Sequence, residues 1–581
     1  MSIPINISII RTLLFVIIPL LIFQGQAFAE ITTLVALGET WTYKDDGSDQ
    51  QGAWRTYPFD DSGWSSGAAQ LGYGDGDEAT TVGYGGNSNS KYITTYFRKT
   101  FSVSDPSLYK CLKLRLLRDD GAIVYINDHE VGRSNMPDGM ITYQTPASEV
   151  VGGDDESRVF VTFLDPVVLS AGGSNIIAVE IHQISQTSSD ISFDLELTAS
   201  TSACFTKGPY LIYPGDNTKM DVLWQLTDTD RAKIEWGLDT GFSTGAADTS
   251  EYGSAHQHAH TISALIPGTK YYYRVSANAT DQDHQHTGSF TAAPPADAED
   301  VKLLVHGDTQ TLPADHDTVA AGMISAFTSD SSYQTMVLAA GDLVSAGRDE
   351  SSWATEFFDP TYTHIQELLA NLAFQSCMGN HETFGTGENL FQTYFPYPSV
   401  FDNYWSFDYG PVHVAVVDQY AQGTYPNNMI GSAQLSWLDA DLASTDRPWK
   451  FIIFHEPGWS AGGGHDNNTQ VQTDIQPLCE QYDVSLVFAG HNHFYARAMV
   501  NGVHHITTVG GAPLRTPVAG YPHVLVAKSV THYCKVEISK DTLTFQAVQP
   551  DGAIVDSFII NPIRPVPITQ PIRPAMFLLV N

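Results

Sequence analysis

Basic side chains are scarce in this chain: 29 Lys and Arg stand against 65 Asp and Glu in 581 residues, a formal charge of −36. So acidic a surface excludes nonspecific nucleic-acid binding and adsorption to anionic lipid. It also repels a phosphorylated ligand unless cations offset it locally. Cysteine is scarcer still. Cys111, Cys204, Cys377, Cys479 and Cys534 are too few and too scattered for a disulfide framework, which leaves room for a bridge or two at most. Long apolar runs are missing except at the start, where Arg11 precedes the run Leu13–Phe23 and an Ala27-Phe28-Ala29 site. This pattern is that of a secretory signal over residues 1–29, cleaved before Glu30; the run is short for a membrane anchor. The mature chain is expected to be secreted or periplasmic, without a membrane span and without a nucleic-acid partner.

What the chain does contain divides into three regions and a tail. Residues 30–200 show short alternating runs rather than helical periodicity. ISFDLELT (191–198) sets Phe193, Leu195 and Leu197 on one face and Ser192, Asp194 and Glu196 on the other. AIVYINDHEV (122–131) predicts a hairpin turning at Asn127-Asp128. This is an all-β sandwich, and FDDSGW, LGYGDGD, DDGAIVYIN and NIIAVEIHQ resemble the galactose-binding-like jelly rolls appended to secreted enzymes. The resemblance implies an accessory role and makes a glycan a candidate ligand. The acidic clusters Asp75/Asp77/Glu78 and Asp154/Asp155/Glu156 carry the oxygen ligands that Ca2+ takes, though solvated loops account for them as well.

Residues 203–293 form a second all-β unit. LIPGTKYYYRV (265–275) places Tyr271, Tyr273 and Val275 on one strand face after a Pro-Gly turn, and it resembles a fibronectin type III-like domain. The clusters HQHAH (256–260) and DHQH (283–286) suggest metal ligation, but an exposed polar strand face explains His256, His258 and His260 equally. AAPPADAED (292–300) reads as a linker. From 301 to 561 apolar strands alternate with helical segments such as GSAQLSWLDADLAS (431–444), in which Leu435, Leu438 and Leu442 share one face. The Pro-rich tail 562–581 is expected to be extended.

In this α/β region each buried run ends on polar residues. KLLVHGDTQ ends at Asp308 with Gln310 beyond it, TMVLAAGDLV at Asp342, AFQSCMGNHE at Asn380-His381, KFIIFHEP at His455, and VSLVFAGHNH at His491 and His493. Two carboxylates, an amide oxygen and three imidazoles suit a pair of borderline cations. The ordered set GD…GD…GNHE…H…GHNH, with NYWSFDYGPVHVAVVD and a GGAP loop, resembles the purple acid phosphatase branch of the calcineurin-like metallophosphoesterases over residues 207–561. The resemblance implies two facing mixed β-sheets flanked by helices, following two N-terminal all-β sandwiches. It implies two metal ions (Fe, Mn or Zn) bridged by Asp342, one held by Asp308 and His493, the other by Asn380, His455 and His491. His381 would act on the leaving oxygen, and His465 would stand close by. Hydrolysis of a phosphomonoester by metal-bound hydroxide is the activity implied. Two alternatives are phosphodiester hydrolysis at the same centre and a glycan- or surface-binding protein with a degenerate phosphatase domain.

One departure stands out. The family's tyrosine, three residues after the bridging aspartate, is here Ser345. The histidine that other phosphoesterases place two residues after the first aspartate is here Gln310, whose Oε1 is a weak substitute ligand.

Overall fold

Alternation of apolar and polar side chains builds the N-terminal region. The computed structural model describes residues 31–561 except 138, 153–157, 202, 229–231, 254, 278–284, 401–402 and 427. The expected signal 1–29, the cluster Asp154/Asp155/Glu156, Asp283 and His284 of DHQH, and the tail 562–581 lie outside the described residues. Ile191–Ser200 buries Phe193, Leu195 and Leu197 and pairs with Cys111–Asp119 in a six-stranded sheet, setting Leu195 against Leu116 and Leu197 against Leu114. A second six-stranded sheet is centred on Thr94–Val103 and Gly173–His182. One apolar cluster fills the space between them, with the Phe97 and Phe193 rings stacked at 4.3 Å. The hairpin forms where expected: Gly121–Ile126 turns into His129–Ser134 through Asn127 and Asp128, at φ 52° and 71°, the left-handed pair that a two-residue turn requires.

In the second region Lys270–Ser276 buries Tyr271, Tyr273 and Val275, and Ile266 N donates to Tyr271 Oη at 3.0 Å. The histidine run does not lie on an exposed face. His258 is buried with its ring stacked 5.5 Å from Trp224, and His256 precedes the strand Gln257–Ile262 and meets Glu251 at 3.0 Å. Imidazole is flat and apolar enough to pack on an indole, so residue polarity alone misplaced it. No group of metal-ligating side chains forms there among the described residues.

The second and third regions share their hydrogen bonding. Phe205–Ile212 pairs antiparallel with Met220–Leu226 and, on its other edge, parallel with Ala373–Ser376, which makes one ten-stranded sheet of both regions. At this seam Tyr273 Oη donates to Ala370 O (2.8 Å) and Gln375 Nε2 to Tyr213 O (2.7 Å). A disulfide between Cys111 and Cys204 ties the first region to the second; Cys377, Cys479 and Cys534 are free and buried.

A seven-stranded sheet faces the ten-stranded one. Val414, Val416, Phe451, Ile453 and Phe488 share one face of it and join the apolar cluster to which the strands of the ten-stranded sheet belong. Their neighbours Ala415, Ile452 and Val487 point outward, under Leu438 and Leu442 of the helix Ser432–Ser444. Burial on both faces is why these strands read as unbroken apolar runs. The parallel strands Asp300–His306, Met336–Ala339 and Ala373–Ser376 in one sheet, and Trp449–Ile453 and Leu486–Ala489 in the other, deliver every polar motif at their carboxyl ends.

The edge of this seven-stranded sheet carries a charged tie. His413 Nδ1 meets Asp408 and Nε2 meets Asp441 of the helix Ser432–Ser444, each at 2.8 Å. Burial opposes the imidazolium, but hydrogen bonds to Asp408 and Asp441 outweigh it and raise the pKa to about 9. The folded value exceeds the unfolded one, so the stabilisation is complete below about pH 6.5 and fades as pH rises through 9. His413→Gln should therefore lose of order 2–3 kcal/mol at pH 6 and much less at pH 10. Equal losses at both values in urea titrations would contradict the tie.

Candidate metal centre

Asp308, Asp342, Asn380, His455, His491 and His493 leave five strand ends and converge, each at most 7% exposed. The chain exits through left-handed residues at Asp308, Asp342, His491 and His493, with φ of 48°, 54°, 70° and 51°. This conformation is uncommon and costly for L residues, of order 1 kcal/mol each. The preceding glycines have a steric cause. A Cβ at Gly490 would fall 2.7 Å from Asp308 Oδ2, and one at Gly379 would collide with Asp342 Oδ1.

Asp342 is the hub. Its Oδ2 lies 3.0 Å from His455 Nε2, 3.4 Å from Gln310 Nε2 and 3.9 Å from His381 Nε2. Asn380 Oδ1 lies 2.9 Å from His491 Nδ1 and 3.1 Å from His455 Nε2. Two sets of ligand atoms each fall within 4.8 Å of one another, Asp342/His455/His491 and Asp308/Asp342/His493, and Asp342 belongs to both. Backbone carbonyls orient the imidazoles. Ala340 O takes His455 Nδ1 at 2.8 Å and Pro513 O takes His493 Nδ1 at 2.9 Å, which leaves each Nε2 facing the cluster.

Two further carboxylates brace the ligand loops. Buried Glu382 accepts from the backbone N–H of Asp342 (3.0 Å), Gly379 (2.7 Å) and Leu343 (2.7 Å). Glu356 accepts from the N–H of Thr311 and Ser345, both at 2.8 Å. Sequence reasoning missed both roles. Glu382 was visible inside GNHE, whereas nothing around Glu356 marks it. Gln419 was missed as well; its Oε1 accepts from His455 N at 3.0 Å.

The electrostatics favour added positive charge. Burial pushes Asp308 well above the carboxylate range, with Asp342 adding to the push and His455 opposing it. Burial works against charge on Asp342 too, but His455 holds it ionised; in return Asp342 lifts His455 against its own burial to about 10. Burial keeps His491 neutral and lowers His493 to about 4. Asp308 Oδ2 and Gln310 Oε1 are buried without a hydrogen-bond partner. Two divalent cations fit this donor set: they would neutralise both carboxylates, use the neutral imidazoles and engage the unpartnered oxygens.

The remaining expected residues lie around this cluster. His381 Nδ1 is 2.7 Å from Ser345 O, which turns Nε2 toward Asp342. His465 packs against His491 with ring centroids 3.9 Å apart and the rings tilted by 33°, and its Nδ1 is 3.1 Å from Tyr425 Oη. Gln310 lies against both Asp342 and His493, the latter at 3.1 Å. Arg515 follows the GGAP loop, donating its backbone N–H to His493 O at 3.0 Å.

Residues 296–495 match the calcineurin-like phosphoesterase family and residues 207–292 the purple acid phosphatase N-terminal domain. Most of the third region thus matches a calcineurin-like phosphoesterase domain. Beyond these matches, the chain is similar to purple acid phosphatases over part of its length. It is 27% identical to purple acid phosphatase 21 of Arabidopsis thaliana over 42% of this chain, a match spanning 54% of that relative, or about half its length. It is 25% identical to human acid phosphatase type 7 over 61% of this chain and 90% of that protein. The solved purple acid phosphatase from yellow lupin seeds shares the fold, with a TM-score of 0.53 at 17% identity over 81% of this chain and 93% of that one.

Two outcomes follow. Glu382→Gln would set an amide NH2 against buried N–H donors, costing about 2–4 kcal/mol and loosening Asp342. Thermal unfolding and metal content should fall together, and an unchanged melting temperature would remove the bracing role. The second outcome concerns colour. Ser345 Oγ donates to Glu356, and Tyr495 Oη donates to Asp556 Oδ2 at 2.8 Å, so neither faces the cluster. Protein reconstituted with metal should lack a strong tyrosinate-to-metal band in its visible spectrum. A band abolished by Tyr425→Phe would instead make Tyr425, whose ring lies 5.4 Å from that of His491, a ligand.

Proposed function

We propose that this chain is an exported phosphatase that hydrolyses phosphomonoesters with two metal ions. The observation that carries this reading is the pair of ligand sets sharing Asp342, buried at the ends of five strands. Asp308 and His493 would hold one ion and Asn380, His455 and His491 the other, with Gln310 beside the first. The ions supply Lewis-acid activation of water and neutralisation of phosphoryl oxygens. The rest falls to the protein's own groups. His381, fixed at Nδ1 by Ser345 O, presents Nε2 at the mouth of the cluster, where it can hold a proton for the leaving oxygen. Arg515 is close enough to His465 and His493 for its charge to act on both. In a chain of charge −36 it gives a dianionic phosphate a fixed cation. The name of the human relative, acid phosphatase, supports a monoester substrate. Export is supported by the signal-like residues 1–29 and by the disulfide, and no described helix is long and apolar enough to cross a membrane. The presence of all six of Asp308, Asp342, Asn380, His455, His491 and His493 in one buried cluster speaks against a degenerate domain.

Turnover of para-nitrophenyl phosphate and bis(para-nitrophenyl) phosphate by the metal-loaded protein tests the reading, with the monoester expected to be faster. Faster diester hydrolysis would assign a phosphodiesterase, and failure on both a binding protein. His381→Asn should lower kcat about 100-fold while both ions stay bound. Loss of an ion in that variant would make His381 a ligand instead.

A further inference from the structure

The three glycines before His465 form a seat for the loop 513–521. A Cβ at Gly462 would fall 2.4 Å from Tyr521 Oη, one at Gly463 2.5 Å from Thr516 O, and one at Gly464 2.3 Å from Arg515 Nη1. Gly462 and Gly463 are also left-handed, at φ 66° and 93°. Val518 N donates to Ala461 O at 2.8 Å and Arg515 N to His493 O at 3.0 Å, so the loop is tied down on both sides of the seat. The guanidinium of Arg515 is thereby laid against Gly464, the residue that precedes His465.

The side chain so placed is a cation without a partner. Arg98, Arg447 and Arg497 pair with Asp61, Asp408 and Asp556, as a chain with 65 acidic residues readily allows. Arg515 makes no side-chain hydrogen bond or ion pair among the described residues, not even with Asp466, which follows His465. Glu456, buried beside His455, is taken up by Tyr420, Asn428 and Asn468. A guanidinium stays charged at any working pH, so an anion from outside is what can neutralise this one. Its position is the rim of the metal cluster. Arg515, His465 and Tyr425 are half-buried and reach solvent, whereas His491 and His493 behind them are buried. The Arg515 charge bears on all three of His465, His493 and Tyr425.

Paired metal ions serve phosphatases and nucleases alike, so the choice between ester types falls to the chain's own residues. A phosphomonoester carries close to two negative charges at about pH 7 and a diester only one. We propose that Arg515, seated on Gly464, is a specificity-determining residue that selects dianionic phosphomonoesters over monoanionic diesters, an assignment that rests on the phosphatase reading. A fixed cation acts in proportion to ligand charge. Across several ångströms of partly screened medium each unit of that charge gains a factor of about ten.

Calorimetric titration of the metal-loaded full chain tests this without turnover, using inorganic phosphate and dimethyl phosphate at about pH 8, where the first is mostly a dianion and the second a monoanion. Arg515→Gln should weaken phosphate binding about 100-fold and dimethyl phosphate binding about tenfold, with both metal ions retained. In turnover, the ratio of kcat/KM for para-nitrophenyl phosphate to that for bis(para-nitrophenyl) phosphate should fall about tenfold. Arg515→Lys keeps the charge and should hold this ratio within about threefold of the native one. Added salt should narrow the native ratio and leave that of Arg515→Gln unchanged. Gly464→Ala displaces only the free end of the Arg515 side chain. It should shift both readouts in the same direction, and it covers the case in which Arg515→Gln loosens the loop. Equal losses for dianion and monoanion, a lost metal ion, or an Arg515→Lys ratio as low as that of Arg515→Gln would overturn the assignment. A native chain that binds phosphate through Arg515 yet cleaves neither ester would uphold it and overturn the phosphatase reading alone.

Discussion

Asp308 and Asp342 are buried together where two sheets end, in a medium that screens their repulsion poorly. Much of the third region is organised around holding them there. His455 offsets one charge and sits 3.0 Å from Asp342, and the remaining deficit is what the imidazoles and Asn380 are arranged to serve with cations. An acidic chain can attract a phosphate only where such ions reverse the local field.

Holding that arrangement requires a stiff frame. The left-handed residues at Asp308, Asp342, His491 and His493 are unfavourable locally and persist because surrounding contacts over-determine them. Glu382 and Glu356 do this directly, gathering the N–H groups of loops that begin on different strands. Charge therefore acts twice in this centre, once on ligands and once on the backbone that aims them.

The polar strand ends were legible in sequence because each follows an unbroken apolar run, and a strand buried on both faces has no other way to expose a histidine pair. The same logic recovered the Asn127-Asp128 turn and the Tyr271/Tyr273/Val275 face, both of which depend on neighbours in sequence. What it missed depends on contacts between residues far apart. Neither metal ligation nor an exposed face fits His258, and nothing local reveals the Trp224 indole beneath it. Glu356 gives no sign of the two loops it joins, and Tyr425 gives none of its approach to His491. The Cys111–Cys204 pairing was equally invisible, since spacing alone does not choose among five cysteines.

The seam between the second and third regions bears on how the chain is made. A polypeptide synthesised from its N-terminus exposes Phe205–Ile212 with only Met220–Leu226 to pair with, and its other edge stays open until Ala373–Ser376 has emerged. The first sandwich differs, because every described strand of its two sheets ends at or before Ser200. Birth order on the ribosome thus splits the molecule differently from its regions. The jelly roll can close early, while the second region waits, edge exposed, for the phosphoesterase strands that complete its sheet.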